Sequence, residues 1–241
     1  MRERLVWIWV CMASVLLAGC ASYVTPGGPA NLQDIDRPDI AEAAARRPSP
    51  NFPARLAIAR VQASGYQSHS QQAQVDGRYS VVTARELLSE ADIQILSERP
   101  QLAGIAPLNR LLLPPRTDSF DDLRLAAAKV QADVLFVYTM DTVFRVEGRG
   151  YGPVSALSLG LIPDRDAKVL STASGLFIDV RTGFIYGLAE ASAQASGLTN
   201  AWSSRDTIDA KRLEAEQQAF DKLVAAAAKT WDGIAQQYAG Q

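Results

Sequence analysis

The chain has 241 residues, with 24 basic and 26 acidic side chains and a formal net charge of −2. This length suits one domain, or one domain with a tail, and a hydrophobic content of 48% is enough for a core. The balanced charge argues against the basic surface of a nucleic-acid-binding domain, so we expect no nucleic-acid partner.

The N-terminal segment predicts a secretory signal. Arg2 and Arg4 precede an almost wholly apolar run, Leu5 to Leu17, and small residues follow it. A charged start, a short apolar run and a small-residue cleavage site are typical of a signal peptide, which we assign to residues 1–19. The alternative is a transmembrane helix, but the run is shorter than the roughly 20 apolar residues that a span requires.

The four residues Leu17–Cys20, which read LAGC, resemble the lipobox of bacterial lipoproteins. The resemblance implies that the Cys20 sulfur receives a diacylglycerol, that cleavage leaves Cys20 first and that its amine is acylated. Two or more acyl chains anchor a protein stably in a bilayer, whereas one binds only marginally. Such lipoproteins carry an Asp just after the cysteine when the inner membrane retains them, and Ala21 stands there instead. We therefore expect a location on the outer membrane, with the domain in the periplasm.

Residues 20–53 predict a tether that begins at the lipidated Cys20. Six of the twelve prolines fall in residues 21–53, and proline cannot donate to helix or sheet ladders. Apart from a possible helical turn at Ile40–Arg46, we expect an extended arm that holds the domain off the lipid surface. The alternative is that the arm packs on the domain, which we expect to comprise residues 54–241.

The first half of the domain predicts strands and helices in alternation. The predicted strands are Arg55–Val61, Arg78–Val82 and Leu108–Leu113. A capping box predicts a helix after Thr83, with a second possible start at Ser89, and an N-terminal cap at Ser119–Asp122 predicts a helix from Phe120 to Gln131. The run Ala132–Met140 is the most apolar of all, which favours a central strand covered on both faces.

The second half predicts antiparallel strands and a closing helix. One predicted hairpin runs from Thr139–Val146 through a tip at Glu147–Pro153 and returns over Val154–Ile162. A second predicted hairpin joins Val169–Val180 to Phe184–Ala195 through the turn Arg181–Gly183. We expect a loop at Ser196–Ser204. A long C-terminal helix, Thr207–Tyr238, carries an apolar stripe that we expect to pack on the sheet, with a partner groove as the alternative. The pattern predicts an α+β fold in which two or three helices pack a mixed or antiparallel sheet.

Two segments support a family resemblance. The Ala-rich helix that leads into an apolar strand, Ala126–Phe136, and the hairpin segment Asp179–Ile185 resemble the periplasmic domain of the curli-export lipoprotein family. That family shares its fold type with the TolB N-terminal domain and with the lipoprotein activator of penicillin-binding proteins. The resemblance implies an α+β fold and a periplasmic location.

Residues typical of catalysis are scarce in this sequence. His69 is the only histidine and lies in a polar loop, and Cys20 is the only cysteine left after residue 19. A zinc site would then need mostly carboxylates, which is unusual, so we expect no metal and no cofactor. The segment around Gly148–Gly152 resembles a flexible hairpin tip, and Arg145, Arg149 and Tyr151 are candidate contacts for an acidic partner or a glycan.

These observations predict a membrane-anchored periplasmic lipoprotein that acts without catalysis. We expect it to bind another envelope protein, or copies of itself, as a protein-binding or assembly factor. The first alternative is a small-ligand or peptidoglycan-binding lipoprotein. The second is a carboxylate-based hydrolase, which needs two acidic side chains facing each other in a pocket.

Overall fold

A computed structural model of the chain describes residues 28–31, 39–49, 51–67, 77–148, 165–199 and 205–240. Four residues named above, Cys20, His69, Arg149 and Tyr151, lie outside these ranges. The predicted hairpin tip and the return strand Val154–Ile162 also lie almost entirely outside them.

Six strands and four α-helices lie within the described residues. The strands are β1 (Ala54–Ala63), β2 (Tyr79–Val82), β3 (Leu102–Pro107), β4 (Val134–Gly148), β5 (Arg165–Asp179) and β6 (Ile185–Thr199). The helices are α1 (Ile40–Ala45), α2 (Glu90–Ser97), α3 (Phe120–Lys129) and α4 (Arg205–Tyr238).

The strands form one mixed sheet in the order β2-β1-β4-β5-β6, with β3 also paired to β1. Strand β1 is parallel to β3 and to β4, whereas its pairing with β2 is antiparallel. Strands β4, β5 and β6 form a long antiparallel meander. The α+β prediction, including the long C-terminal helix, is confirmed.

Each face of the sheet packs its own hydrophobic cluster. Alternate residues of β1 and β4, such as Leu56 and Phe136, face α2 and α4. The residues between them, such as Ala57 and Leu135, face α3. Strand β4 is therefore buried on both faces over its first half, as its continuous apolar run predicts.

Helix α4 covers one face of the meander. Six residues of its predicted stripe, Phe220, Leu223, Val224, Ala227, Trp231 and Ile234, are buried in the cluster on that face, and Tyr238 packs at its margin. The ring of Phe177 lies 6.0 Å from Trp231 and 4.6 Å from Phe136, measured between centroids. The apolar stripe of α4 therefore packs against the sheet, as predicted.

The turn between β5 and β6 forms as its sequence predicts. Gly183 has φ of +72°, a left-handed conformation that glycine adopts without steric cost. The buried carboxylate of Asp179 accepts hydrogen bonds from the amides of Arg181 and Thr182, at 2.8 and 2.9 Å. Its other oxygen accepts the Tyr186 hydroxyl at 2.7 Å.

Four local predictions were wrong. Val154–Ile162 is not the hairpin partner of Thr139–Val146, because this stretch of β4 pairs with Ala167–Ser174 of β5. The predicted strand Leu108–Leu113 is a short 3₁₀ turn at Arg110–Leu112, because the Asn109 side chain accepts from the Leu111 amide; the strand is β3, six residues earlier. Thr83 opens only a 3₁₀ turn, since Glu86 binds Arg60 instead of closing a capping box. The predicted loop Ser196–Ser204 begins later, because β6 stays paired with β5 to Thr199.

Candidate functional site

The N-terminal arm lies on the sheet at Gly28–Asn31. Pro29 forms an antiparallel bridge with Gln62, near the end of β1, and the Ala63 amide donates to the Gly28 carbonyl at 3.0 Å. The amide of Ala30 donates to Thr139 Oγ1 at 3.0 Å, and Ala30 is buried. This stretch of the arm is therefore held by backbone pairing as well as by packing.

A side-chain amide completes the sheet at this point. Backbone pairing of β1 with β4 extends only as far as Ala59 and Val137. Beyond it, Gln62 accepts from the Met140 amide at 2.7 Å and donates to the Met140 carbonyl at 2.9 Å. The buried side-chain amide of Gln62 thus bonds the Met140 backbone as a neighbouring strand would, and the backbone of Gln62 pairs with the arm. We call Gly28–Ala30, Gln62, Thr139 and Met140 the arm seam.

A second stretch of the arm contacts the opposite end of the sheet. The amide of Ser49 donates to Asp179 Oδ2 at 2.6 Å, and Arg46 donates to the Gly183 carbonyl at 3.3 Å. For these residues and for the arm seam, the alternative in which the arm packs on the domain is the correct one. The described residues of the arm thus contact the sheet near the end of β1 and near the β5–β6 turn.

Five charged residues form a buried cluster between α4 and the sheet. We call Arg60, Glu86, Asp209, Arg212 and Glu216 the charge cluster; all five side chains are at most 7% exposed. Strand β1 supplies Arg60, the 3₁₀ turn after β2 supplies Glu86, and the first half of α4 supplies the rest.

Glu216 is the centre of the charge cluster. Its Oε2 accepts from Arg212 at 2.8 Å and from Arg60 at 3.3 Å, and its Oε1 accepts from Thr142 at 3.1 Å. Arg60 also pairs with Glu86, and Arg212 pairs with Asp209 at 2.9 Å. These bonds hold α4 on β1, and each oxygen of Glu216 has a partner within the domain.

Burial and charge act against each other at the two arginines. Burial alone lowers the pKa of Arg60, but attraction to Glu216, Tyr66, Tyr138 and Glu86 outweighs it and raises that pKa above its usual value. At Arg212 the same opposition, with Glu216 and Asp209 as partners, also raises the pKa. Both guanidinium groups are therefore charged at every pH at which the fold is stable.

Three buried tyrosines have pKa values raised by burial. They are Tyr66, which lies beside Arg60, Tyr79, whose hydroxyl donates to the Ser119 carbonyl, and Tyr138, which lies under α4. The Arg60 guanidinium carbon is 5.7 Å from the Tyr66 ring centroid, within the range of a cation–π contact.

The structure does not describe the side chains of the sequence-predicted contact residues, which remain a prediction. Arg145 lies on β4 in register with Lys168 of β5, and its side chain is outside the description, as are Arg149 and Tyr151 altogether. The described residues contain no group of three or more His, Cys, Asp or Glu side chains that could hold a metal ion. Among the described helices, none has both the length and the apolar character that a membrane span requires.

The charge cluster was not predicted, although the sequence carries signals for it. Arg60 occupies the same alternate positions of β1 as the buried Leu56 and Ile58, where a charged side chain needs a partner. Asp209, Arg212 and Glu216 are three and four residues apart, which places them on one side of a helix.

Comparisons with known proteins give no family. No family model and no curated protein matches the chain. Among solved structures, a DUF330 protein from Xanthomonas campestris is 10% identical, with 82% of this chain and 92% of that chain covered and a TM-score of 0.38. The PelC dodecamer from Paraburkholderia phytofirmans is 8% identical, with 79% and 93% covered and a TM-score of 0.32. A lipoprotein candidate from Caulobacter crescentus is 13% identical, with 50% and 79% covered and a TM-score of 0.25. Since these TM-scores are below 0.5, none of the likenesses assigns a function.

Proposed function

We propose that the chain is a bacterial lipoprotein that is anchored through acylated Cys20 and binds another protein in the periplasm without catalysis. The observation that carries the anchoring is the LAGC sequence at Leu17–Cys20 after an apolar run, and the arm seam joins the chain to the central part of the sheet eight residues after Cys20. A domain tied this closely to its first residue suits work near a membrane surface.

Mass measurement of the mature chain purified from its own cells tests the anchor. We expect a chain that begins at Cys20 and carries added diacylglycerol and acyl masses, and we expect it in the membrane fraction. Cys20→Ser is the direct comparison, and Ala21→Ser is a matched control that keeps the cysteine. An unmodified Cys20, or fractionation unaffected by Cys20→Ser, would remove the anchor from the proposal.

The open edge of β6 supports protein binding. Lys222 Nζ and Thr230 Oγ1 of α4 donate to the carbonyls of Ser192 and Leu188, at 3.1 and 3.2 Å, so these carbonyls point away from β5. In a strand, every second residue points its amide and carbonyl to the same side, so the backbone of Glu190 points outwards as well. Among the described strands β6 has no partner on this side, and such an edge can pair with a strand of another chain at backbone groups that α4 does not already bond.

Exposed apolar side chains lie beside this edge. Leu188 is 70% exposed, and Val143 and Leu170, paired across β4 and β5, are 49% and 46% exposed. They share the sheet face opposite α4. Polar residues such as Glu190 and Ser192 separate Leu188 from that pair, so Leu188 is the apolar contact at the edge itself for a partner strand.

Photo-crosslinking in intact cells tests this surface. A crosslinking amino acid at Leu188 should give one defined adduct, either with a second copy or with a single envelope protein. Leu111, which is 83% exposed on a 3₁₀ turn away from β6, is the matched control and should give none. Adducts of equal yield at both positions, or no defined adduct at Leu188 under several growth conditions, would contradict protein binding at β6.

A further inference from the structure

One row of α4 side chains runs in step with the outward backbone groups of β6. Lys222 donates to the Ser192 carbonyl. Eight residues further along α4, Thr230 donates to the Leu188 carbonyl, which is four residues back along β6. These two spans are about 12 and 13 Å at the usual rise per residue of a helix and a strand. Residues spaced four apart along α4 therefore lie beside every second residue of β6.

Two opposite charges border the edge of β6 as a result. Continued towards the start of α4, the same spacing places Glu214 beside Ser196. The small apolar cluster that contains both Ala215 and Ala195 agrees with this placement. Lys222 and Glu214 are both exposed, so each is accessible to a chain that pairs with the edge.

These charges distinguish the registers in which β6 could pair antiparallel with β6 of a second copy. With Ser192 on the two-fold axis, Lys222 would meet Lys222 of the second copy. With Ser196 on the axis, Glu214 would meet Glu214, and like charges placed together oppose association. With Gln194 on the axis, Lys222 of each copy meets Glu214 of the other. Of the registers centred between Ser192 and Ser196, only this one sets opposite charges against each other.

We propose that two copies of this chain pair antiparallel through β6, with Gln194 on the two-fold axis. The inference rests on the proposed function, because it names the partner that the β6 edge receives. The two meanders then form one continuous sheet, with both α4 helices on the same face. Since α4 packs on both β5 and β6, the two helices lie about 10 Å apart, or two strand spacings, which is an ordinary distance for packed helices.

The backbone of β6 can form a continuous ladder in this register. Its alternate residues from Glu190 to Leu198 face the second copy, with Glu190 opposite Leu198 and Ser192 opposite Ser196. No like charges face each other along this ladder. Leu188 is the next outward residue, at the end of the ladder and beside the second copy.

Lys222 changes its partner when the ladder forms. It leaves the Ser192 carbonyl, which then accepts the amide of Ser196, and it pairs with Glu214 of the second copy. Glu214 pairs with Lys211 in the single chain, but their side chains are 44% and 35% exposed. The exchange therefore breaks no buried ion pair, and such exposed pairs contribute little to stability.

Disulfide formation in intact cells tests the two-fold axis. Gln194→Cys sets two thiols opposite each other, in a mature chain that has no free thiol of its own if Cys20 is acylated. We expect a covalent dimer after mild oxidation, because directly opposed Cα atoms are about 5.5 Å apart. Ser192→Cys is the matched control on the same edge, since its two copies would lie about 13 Å apart, too far for a disulfide.

Two cysteine variants expressed together test the register. Ser192→Cys and Ser196→Cys should form a mixed covalent dimer, because these residues face each other only when Gln194 is on the axis. Neither variant should form a dimer with itself. Dimers of Ser192→Cys as abundant as those of Gln194→Cys would overturn the register.

Charge reversal tests the pairing in solution, with the mature chain carrying Cys20→Ser. Lys222→Glu sets two like-charged pairs across the dimer and should weaken dimerisation by about tenfold or more in analytical ultracentrifugation. Adding Glu214→Lys restores opposite charges and should restore the dimer. Lys229→Glu, an equal charge change at another exposed position of α4, is the matched control and should leave dimerisation unchanged.

The outcomes separate this inference from the proposed function. A defined adduct between Leu188 and another envelope protein, without a covalent dimer at Gln194, overturns the second copy as the partner and leaves protein binding at β6 standing. Failure of Glu214→Lys to restore the dimer overturns the charge pairing. A chain that stays monomeric and gives no defined adduct at Leu188 or Gln194 contradicts both proposals.

Discussion

The charge cluster allows a quantitative prediction for Arg60→Met. Arg60 is fully buried and bonded to Glu86 and Glu216, which are 7% and 3% exposed. Removing one partner of a buried ion pair costs about 3–5 kcal/mol, because the other charge stays buried without compensation. Glu216 keeps Arg212 at 2.8 Å and Thr142 at 3.1 Å, whereas Glu86 keeps the longer pairing with Arg212 at 3.9 Å, so the loss falls mainly on Glu86. We therefore expect the lower part of that range, about 3 kcal/mol.

Urea unfolding of the mature chain with Cys20→Ser measures this loss. The matched control is Arg85→Met, since Arg85 precedes Glu86 in the same turn, is 66% exposed and pairs only with the exposed Glu90 at 3.4 Å. Exposed pairs contribute about 0–1 kcal/mol, so this control should unfold almost as the parent does. In thermal unfolding, about 3 kcal/mol corresponds to a Tm lower by about 6–12 °C in a domain of this size.

A second variant separates lost charge compensation from lost packing. Adding Glu86→Gln to Arg60→Met removes the uncompensated carboxylate and should recover about 1 kcal/mol or more. If Arg60→Met and Arg85→Met differed by less than about 1 kcal/mol, the charge cluster would not hold α4 on β1 as we argue.

Three further predictions concern stability. Burial raises the pKa values of the three buried tyrosines above 10, so above pH 10 the unfolded chain loses protons that the folded chain keeps. The free energy of unfolding should therefore fall as the pH rises. Tyrosinate absorbance should increase when urea unfolds the protein at pH 11. Gly175→Ala should destabilise the domain by about 1–3 kcal/mol, because the new Cβ would lie 2.5 Å from the Phe136 ring. In α4, the Cβ of Gly233→Ala would meet nothing within 4 Å, so this variant should be more stable by about 0.5–1 kcal/mol. Urea unfolding measures both changes. Asp179→Asn replaces one carboxylate oxygen with an NH2 group that cannot accept from the donors around it, which should lower the free energy of unfolding by about 1–3 kcal/mol. Asp141→Asn on the exposed sheet face should change it little. Equal urea midpoints for the two variants would contradict the role of the buried carboxylate.

The elements predicted correctly are those in which short-range signals agree with the final packing. The boxes at Ser89–Asp92 and Ser119–Asp122 both form, and a helix follows each one. The stripe of α4 and the turn at Gly183 also depend on residues close in the sequence. Because these signals depend only on neighbouring residues, the sequence alone predicts the two helices, the apolar stripe and the turn correctly.

Two of the wrong predictions come from contacts between distant residues. Glu86 lies 26 residues from Arg60, and the ion pair between them removes the acid that a capping box at Thr83 would need. Strand β3 contains Gly104 and Pro107, which weaken a strand pattern, yet it forms because β1 offers it a parallel partner. Neither effect is visible in a window of neighbouring residues.

The arm and the charge cluster both attach to the last residues of β1. Arg60 fastens α4 and the Glu86 turn to this strand, and Gln62, two residues on, joins it to β4 and to the arm. Because side chains alternate along a strand, Arg60 and Gln62 share one side of the sheet. A force applied to the arm is thus transmitted to a strand in the middle of the sheet and not to a surface loop. The attachment of the arm and the organisation of the core therefore depend on the same strand.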